Sequence, residues 1–446
     1  MPTNVVHPVI VIPGITATYL TDEYPFEPDT VWGLLTKKYE RLTPHPDDLR
    51  YEALEPSQIR TSKLNSVAYR ELVAELRHNL SPRADEPTPV FTFAYDWRFP
   101  LDQSVEALHG FIEEVIGRTS LLKHYDAVGW QDEPQVNLVA HSMGGLIAAG
   151  YLGRFGDERR VSKVASLATP FNGSFEAVLK IAVGTGDLGS GVPSSRERET
   201  SRMLPSLYHL LPTVPDGVQA DPGLETDLFS PVAWQTGVVS TIAEFIRLHG
   251  LNPGSSEQQA GTLFAELLTR ARDYRAGVDK LDLAVHGLSR EDWLCVAGVN
   301  AKTRVRLRVR DSNGQPDFVL SSKDRENRWV EQPRHAEAKR RTDQRFTGDG
   351  TVPFDGAVPR FLGRENVVCV TPQDFGYWEL GDRVLNRVAG FHGIMPNMNM
   401  LHRLIVRHFT GASDTRGMTW GRPAPGVSPG DWNPAVPGLR NKDLKR

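Results

Sequence analysis

Residues 136–152 read VNLVAHSMGGLIAAGYL, and this stretch predicts a strand, a sharp turn and a helix. Its first residues are apolar and β-branched, as in a buried strand, and its last residues form the apolar run of a helix. The small residues around Ser142 allow the turn between them. A serine on such a turn is lifted above the edge of a sheet, where it can act as a nucleophile. A serine that only caps the helix is the alternative interpretation.

Short apolar runs of the same kind recur along the chain, at residues 9–12, 90–95, 164–167, 294–299 and 367–370. Such runs are typical of strands that are buried on both faces of a parallel sheet. Amphipathic segments separate them, for example residues 102–116, where Asp102 can cap a helix. The alternation predicts an α/β fold, with a mostly parallel central sheet flanked by helices.

Two interruptions and a tail divide this predicted sheet domain. The expected divisions are a first part of the core at 1–175, an inserted cap or lid at 176–289, a second part of the core at 290–412 and a flexible C-terminal tail at 413–446. A plain helical subdomain is the alternative for the first insertion. Within the second part, residues 301–346 predict a further insertion with a hairpin that turns at Asn313 and Gly314.

Composition narrows the class of protein. The 446 residues are 39% hydrophobic and 24% charged, and no stretch reaches the roughly 18 apolar residues of a membrane span. A net charge of -4 argues against a general nucleic-acid binder. The N-terminus lacks the pattern of a signal peptide, so we expect a cytoplasmic protein. Export by a route that needs no signal peptide is the alternative. Cys295 and Cys369 lie in strand-like runs, which predicts buried free thiols.

A nucleophilic serine needs two partners. Near neutral pH a histidine must take the hydroxyl proton of Ser142, and an acid must orient that histidine. In this kind of fold the expected order along the chain is serine, acid, histidine. Asp349 in the sequence GDGTV (348–352) and His392 in GFHGIM (390–395) follow Ser142 in that order. We therefore predict Ser142, Asp349 and His392 as the catalytic residues.

Each of these assignments has an alternative. Asp349 can be a turn residue of an Asp-Gly pair, and Asp355 is the nearest rival acid. His392 can be a solvated loop histidine, and its rivals His402 and His408 lie within the following helical pattern. His141, next to the nucleophile, is expected to pack beside the site rather than to act as its base.

The negative oxygen of a tetrahedral intermediate needs two main-chain donors. The residue after the nucleophile, Met143, is expected to supply the first. The second is expected from Ile15 in the sequence IPGIT (12–16), because Gly14 permits a turn after the first strand. A simple Pro-Gly turn that ends the strand is the alternative.

Weaker patterns indicate neither a cofactor nor a metal. The glycines between residues 184 and 189 resemble a dinucleotide-binding pattern, but no helix is expected after them, so we predict no cofactor. No spacing of histidines or cysteines indicates a metal site. Residues 303–310 read TRVRLRVR and predict a strand with four arginines on one face. That face is either solvated or able to contact phosphate groups.

Taken together, the motifs resemble the lecithin:cholesterol acyltransferase family of the α/β-hydrolase superfamily, including its lysosomal phospholipase and bacterial members. The matching segments are residues 12–14, 95–98, 140–145, 168–174 and 348–352, together with His392 and Met395. The resemblance implies an α/β-hydrolase fold with a cap and a triad formed by Ser142, Asp349 and His392. It also implies acyl esters of lipids as substrates. No cysteine precedes Cys295, so the disulfide that secures an early membrane-contacting loop in the animal enzymes cannot form here.

The function expected from these observations is that of a serine esterase or lipase, which hydrolyses lipid or phospholipid acyl esters through an acyl-enzyme. One alternative is an O-acyltransferase that passes the acyl group to an alcohol. A non-catalytic binding protein on the same scaffold is an alternative of another class. We expect a lipid or ester substrate and no nucleic-acid partner. Transient contact with a membrane surface and the oligomeric state are left open.

Overall fold

The computed structural model describes residues 6–54, 56–184, 194–320, 348–376, 379, 381 and 390–442. The strands of this part are β1 (Val9–Ile12), β2 (Thr18–Asp22), β3 (Asp29–Trp32), β4 (Pro44–His45), β5 (Asp48–Glu52), β6 (Ile59–Leu64), β7 (Val90–Thr92), β8 (Val136–His141), β9 (Val161–Leu167), β10 (Val218–Ala220), β11 (Trp293–Gly298), β12 (Leu307–Ser312), β13 (Gln315–Val319), β14 (Val367–Val370), β15 (Trp420–Gly421) and β16 (Arg440–Asn441). Its α-helices are α1 (Ser66–Leu80), α2 (Leu101–Ser120), α3 (Lys123–Asp126), α4 (Met143–Phe155), α5 (Phe175–Val183), α6 (Ser195–Met203), α7 (Pro205–Tyr208), α8 (Thr236–His249), α9 (Ser256–Asp279), α10 (Phe354–Ala357) and α11 (Asn399–Thr410). Short 3-10 helices lie at Tyr39–Arg41, Trp130–Asp132, Gly156–Glu158, Pro231–Ala233, Pro253–Ser255, Leu283–His286, Arg290–Asp292, Arg364–Asn366, Pro372–Asp374 and Met395–Asn397.

The central sheet has the strand order β14-β11-β9-β8-β1-β7, and every neighbouring pair in it is parallel. The chain leaves β1 toward β7 on one side and returns for β8 on the other side. At such a switch point the loops that follow neighbouring strands diverge, and the carboxyl ends of the strands there are the usual place for a ligand crevice. The predicted α/β fold, with a mostly parallel sheet flanked by helices, is confirmed.

Helices cover both faces of the sheet, because successive side chains of a strand point to opposite sides. Ile10 and Ile12 of β1 belong to an apolar core that includes buried residues of α2 and α4. Val9 and Val11 lie in a second core, with buried residues of α1 and α11. Every residue of β8 is buried, so the strand that carries the predicted nucleophile lies at the centre of the fold.

Two predicted elements have different bounds in the structure. The strand expected at residues 90–95 spans only Val90–Thr92. The helix expected at 102–116 is Leu101–Ser120, and its N-cap is Pro100 rather than Asp102. Proline is already fixed near the backbone geometry that begins a helix, and Asp102 in the first turn still complements the helix dipole.

The region between β9 and β11, which contains the first predicted insertion, is mostly helical. Its two long helices, α8 and α9, pack against each other through buried apolar residues. The hairpin predicted in the second insertion is formed by β12 and β13, and it turns at Asn313 (φ 56°) and Gly314 (φ 80°). β10 of the first insertion pairs in parallel with β12, so the two insertions share one three-stranded sheet. That pairing was not predicted, because β10 has only three residues. Residues 185–189 and 321–346 of the predicted segments lie outside the described residues.

The four alternating arginines do not share one strand. Strand β12 begins at Leu307, so only Arg308 and Arg310 lie on it. Arg304 precedes the strand and is buried, and its Nη2 donates a hydrogen bond to the carbonyl oxygen of Leu320 at 3.0 Å. The expectation of four arginines on one exposed face was therefore wrong, since Arg304 turns into the protein.

An antiparallel sheet that the sequence did not predict follows β1. Strands β3, β2 and β6 form it, and a smaller pair, β4 and β5, lies within the same excursion of the chain. The indole of Trp32 at the end of β3 donates a hydrogen bond to the carbonyl oxygen of Thr16 at 2.8 Å. The excursion is thereby fastened to the loop that leaves the carboxyl end of β1.

The tail was predicted to be flexible over residues 413–446, but its described part, to residue 442, packs on the edge of the sheet. Arg422 exchanges main-chain hydrogen bonds of 2.9 and 3.1 Å with Cys369 of β14. The indole of Trp432 donates to the carbonyl oxygen of Val367 at 2.9 Å, and Val436 and Leu439 are buried. Although rich in proline and glycine, this segment covers a sheet edge that would otherwise expose unpaired backbone groups.

A buried ion pair fastens this tail, and its loss is expected to destabilise the fold. The Arg422 guanidinium donates to both carboxylate oxygens of Asp374, at 2.5 and 2.9 Å, and the Asp374 side chain is only 1% exposed. Removing one partner leaves an uncompensated buried charge. In urea denaturation at neutral pH, Arg422→Ala is expected to lower the free energy of unfolding by about 3 kcal/mol. The exposed Arg416→Ala in the same tail is the control, and an equal effect of both substitutions would contradict the role of the pair.

The same pair makes stability depend on pH. Burial alone would raise the pKa of Asp374, but hydrogen bonds and charge from Arg422 outweigh it and hold the pKa below the usual 3.8. A lowered folded-state pKa contributes stability above the unfolded-state value, and that stability is lost as the pH falls through the folded-state pKa. The contribution of the pair is therefore fully present at neutral pH.

Cys295 and Cys369 are both buried and free, as predicted. Burial raises the pKa of the Cys295 thiol to about 12, so this thiol stays protonated at neutral pH. Among the described helices, none has the length and apolar character to cross a membrane. The described residues also contain no cluster of three or more histidine, cysteine, aspartate or glutamate side chains suited to hold a metal ion.

Candidate active site

The turn between β8 and α4 holds Ser142 in a strained backbone conformation. Its φ of 54° lies in the left-handed region, which residues other than glycine seldom adopt. The amide of Ser142 donates to the carbonyl oxygen of Leu167 on the neighbouring β9 at 2.8 Å, which holds the turn against the sheet. The serine therefore stands at the carboxyl edge of the sheet, beside the switch point. The strand before it and the helix after it are those that the sequence predicted.

The two glycines after Met143 are required by close contacts. A Cβ atom on Gly144 would lie 2.5 Å from the carbonyl oxygen of Ile12 and 2.7 Å from that of Pro13. On Gly145 it would lie 1.9 Å from Oγ1 of Thr169. These distances are below any tolerated contact, so only glycine lets the start of α4 approach the end of β1 at residue 144 and Thr169, after β9, at residue 145 this closely.

The structure brings the three predicted catalytic residues together. Nε2 of His392 lies 2.8 Å from Oγ of Ser142, and Nδ1 of His392 lies 2.6 Å from Oδ2 of Asp349. The carboxylate is 1% exposed and His392 is 12% exposed. An ionised carboxylate has no proton to donate, so it accepts the hydrogen bond from Nδ1–H of the histidine. Nε2 then carries no proton and can accept that of the serine. This arrangement can deprotonate Ser142 when it attacks an electrophile.

The acid is itself held in place by main-chain groups. Its second oxygen, Oδ1, accepts hydrogen bonds from the amides of Thr351 and Val352, at 2.9 and 2.7 Å. The amide of His392 donates to the carbonyl oxygen of Asp349 at 3.1 Å. The sequence suggested that His392 lies in a loop, but it belongs to the helical residues 390–394. The orientation of acid and base is therefore set by backbone as well as by side chains.

The rival residues lie elsewhere. Asp355 forms a partly exposed ion pair with Arg364. His402 and His408 are buried in α11, where their Nε2 atoms contact the carbonyl oxygens of Pro396 (2.6 Å) and Val164 (3.2 Å). Burial lowers the pKa of His408 to about 4. Neither histidine has a hydrogen bond to Ser142.

The loop after β1, which carries the predicted donor Ile15, is fastened by three aromatic side chains. Tyr95 donates its hydroxyl to the carbonyl oxygen of Pro13 at 3.0 Å, and the amide of Gly14 donates to the hydroxyl of Tyr69 at 3.0 Å. Trp32 holds the carbonyl of Thr16, as described for the excursion. A Cβ atom on Gly14 would lie 2.9 Å from Cβ of Ser142, so glycine is needed for the approach of this loop to the serine.

The other predicted donor, Met143, is the first residue of α4. Amides in the first turn of a helix have no partner within the helix, so they can bind an oxyanion. Ile15 and Met143 as the two donors remain a prediction. Sequence reasoning missed Tyr69 and Trp32, whose contacts with the loop leave no local pattern.

A buried network of ion pairs holds the 95–98 segment in place. The Arg98 side chain is 1% exposed and contacts Asp96 at 2.6 Å and Glu52 at 2.9 Å. Burial lowers the pKa of Arg98, but the two carboxylates outweigh it and raise the pKa overall. The network joins β5 of the excursion to the segment after β7, next to the site.

A groove of about 1080 Å³ runs along α9 and is lined by residues that include Leu49, Asp102, Arg270 and Tyr274. Its lining does not include the three catalytic candidates. Tyr274 links it to the site, because its hydroxyl donates to the carbonyl oxygen of Leu146 in α4 at 2.8 Å. The groove is a neighbour of the candidate active site rather than a part of it.

The parallel sheet, its switch point and the turn after β8 define an α/β-hydrolase fold. The model of the lecithin:cholesterol acyltransferase family matches residues 51–243, a little under half of the chain. The resemblance to that family, which the motifs indicated, is thereby confirmed. A search of the curated proteins found no match.

A solved structure shares this fold. The structure described as the crystal structure of the Tle4–Tli4 complex has a TM-score of 0.54 and 16% identity, and the match covers 92% of this chain and 99% of that chain. At this identity the likeness shows the fold alone. A lipase of Bacillus licheniformis, BlEst2 in mature form, has a TM-score of 0.25 and 13% identity over 56% of this chain and 76% of its own. Phospholipase PlaB from Legionella pneumophila has a TM-score of 0.23 and 14% identity over 51% of this chain and 41% of its own. These two scores are too low to support a conclusion.

Proposed function

We propose that this protein hydrolyses carboxylic acyl esters of lipids through an acyl-enzyme on Ser142. The observation that carries the proposal is the chain of hydrogen bonds from Asp349 through His392 to Ser142, on a strained turn beside the switch point. The match to the lecithin:cholesterol acyltransferase family supports a lipid acyl ester as the substrate.

The proposed reaction has two steps. In the first, Ser142 attacks the carbonyl carbon of the ester while His392 takes the hydroxyl proton, and Asp349 stabilises the imidazolium. The amides of Ile15 and Met143 bind the negative oxygen of the tetrahedral intermediate. When the intermediate collapses, His392 gives the proton to the departing alcohol. In the second step His392 takes a proton from water as the water attacks the acyl-serine, and it returns that proton to Oγ of Ser142 as the carboxylic acid leaves.

Acyl transfer to an alcohol would use the same residues, because an alcohol can replace water in the second step. The outcome then depends on how far the insertions exclude water from the acyl-enzyme. We propose residues 176–289 as the cap that controls this access. The test is product analysis with a phospholipid substrate, with and without an added long-chain alcohol. Free fatty acid alone would establish hydrolysis, and an ester of the added alcohol would establish transfer. If neither product formed, the proposal would be contradicted.

We also propose that the excursion after β1 contacts lipid surfaces. Among its exposed large apolar side chains, four lie between residues 24 and 35, namely Tyr24, Phe26, Leu34 and Leu35, here called the apolar tip. Phe26 is 86% exposed and Leu35 is 94% exposed. Exposed large apolar side chains grouped in one short segment mark sites of contact with membranes or other partners. The bond from Trp32 to Thr16 places the tip in the same structural unit as the loop beside Ser142.

Charges on the apolar tip are expected to weaken action on lipid vesicles. Burying a leucine or phenylalanine side chain contributes about 1.5–3 kcal/mol. The double change Phe26→Asp and Leu35→Asp removes two of them, so it should lower the ratio of vesicle to soluble-ester activity by about 10^2- to 10^4-fold. Leu121→Asp, at an equally exposed leucine at the end of α2, is the matched control. An unchanged ratio in the double variant would remove the apolar tip from the proposal.

A further inference from the structure

A buried bridge of two side chains joins the loop after β1 to the main chain of His392. The amide of Gly14 donates to the hydroxyl of Tyr69 at 3.0 Å, and that hydroxyl lies 2.7 Å from Nδ1 of His141. Nε2 of His141 lies 3.0 Å from the carbonyl oxygen of His392. Tyr69 is 2% exposed and His141 is 4% exposed. We call these two side chains the Tyr69–His141 bridge.

The hydrogen-bond directions along the bridge follow from the donors available. The Tyr69 hydroxyl accepts from Gly14, so its own proton is directed at Nδ1 of His141. Nδ1 is then an acceptor, and the ring proton is on Nε2, where it faces the carbonyl oxygen of His392. Burial, with the nearby His392, lowers the pKa of His141 well below its usual value. The imidazole is therefore neutral, and one proton arrangement satisfies every group of the bridge.

The ends of the bridge are the parts of the site whose spacing matters most. Gly14 precedes the predicted donor Ile15, and His392 is the predicted base. His141 is the last residue of β8, directly before Ser142, so nucleophile and bridge share one strand. With the bond from its amide to Asp349, the main chain of His392 is held on both sides.

We propose that Tyr69 and His141 are positioning residues, which fix the base His392 and the oxyanion loop relative to each other through the bridge. This inference rests on the proposed function, because it concerns the reaction at Ser142. The bridge holds His392 through its carbonyl oxygen, and the His141 ring also lies against the His392 ring, with centroids 5.0 Å apart, so it acts on the position of His392. Displacing a catalytic group by about 1 Å can cost about 100-fold in rate, so small shifts are sufficient for a large effect.

The first test removes the hydroxyl of the bridge. Tyr69→Phe leaves ring packing intact but deletes the link between Gly14 and His141. The expected result is a fall in kcat of about 10- to 100-fold with little change in KM for a soluble ester. Tyr125→Phe is the matched control, because Tyr125 is also buried and its hydroxyl donates to a main-chain oxygen, that of Val6, at 2.7 Å. Equal kcat values in the two variants, at equal thermal stability, would overturn the proposal.

The second test separates positioning from packing at residue 141. In His141→Gln the side-chain amide can still donate to the carbonyl oxygen of His392, whereas His141→Phe fills a similar volume without a donor. Partial recovery of kcat in His141→Gln relative to His141→Phe is expected. If both variants lose the same activity although they melt at the same temperature, the bridge is only part of the core.

Failure of this inference can be told apart from failure of the proposed function. A wild-type protein that hydrolyses esters while Tyr69→Phe matches Tyr125→Phe would overturn the bridge alone. A folded wild-type protein with no activity on acyl esters would overturn the proposed function and the positioning role together. Nitrogen NMR adds a readout that needs no turnover, because the bridge requires a neutral His141 with its proton on Nε2. A charged ring at neutral pH would contradict it.

Discussion

Replacement of Ser142 by alanine is expected to lower kcat/KM for acyl-ester hydrolysis by roughly 10^4- to 10^6-fold. The reason is that the nucleophile itself is removed, while the hydrogen bond between His392 and Asp349 does not depend on the serine hydroxyl. Residual rate would come from substrate binding and the oxyanion donors alone. The measurement is initial-rate kinetics with a soluble ester, together with covalent labelling by a fluorophosphonate, which reacts with activated serines.

Ser104→Ala is the control for this change, because Ser104 is also buried but lies on α2, away from the turn after β8. We expect the control to keep wild-type labelling and activity, whereas Ser142→Ala keeps neither. Labelling that persists in Ser142→Ala would mean that another serine is the nucleophile. Absence of labelling in the folded wild-type protein would favour a binding protein on a hydrolase scaffold.

Asp349→Asn is expected to lower kcat by roughly 10^4-fold with little change in protein stability, as at other Ser-His-Asp sites. The asparagine oxygen can still accept from the amides of Thr351 and Val352. Its NH2 group would then face Nδ1 of His392, which forces the histidine proton onto Nε2. That tautomer points a proton at Ser142 and cannot accept one, so the base is lost.

Asp355→Asn tests the specificity of this effect, since the same chemical change is made only six residues away. Its carboxylate pairs with Arg364 and has no bond to His392. We expect wild-type kcat in this variant and a pH profile like that of the wild type. If Asp355→Asn were the more damaging change, the assignment of the acid would be wrong.

Much of the candidate site could be predicted because short local motifs identify its residues. The turn at Ser142 and the Gly-Asp-Gly sequence around Asp349 each carry their signal within a few residues. Three late histidines satisfy the order along the chain, and His392 was chosen because His402 and His408 lie within the following helical pattern. The structure places these residues within hydrogen-bond distance, as the motifs suggested.

Features that depend on contacts between distant segments could not be predicted. Tyr69 lies in the middle of an ordinary amphipathic helix, and only the folded chain brings its hydroxyl to Gly14 and His141. The tail has a composition typical of flexible segments, yet the pairing of Arg422 with Asp374 orders it against β14. In both cases the partner is about 50 or more residues away, beyond the reach of periodicity or composition.

The shared sheet of β10, β12 and β13 limits how this scaffold can be recombined with its relatives. A chimera that imported the first insertion alone would remove β10 and leave one side of β12 without a pairing strand. The loss would also affect the candidate site. Oγ1 of Thr303, shortly before β12, accepts a hydrogen bond of 2.9 Å from the amide of Gly350, which is next to Asp349. A chimera therefore keeps this three-stranded sheet intact only when both insertions are exchanged together.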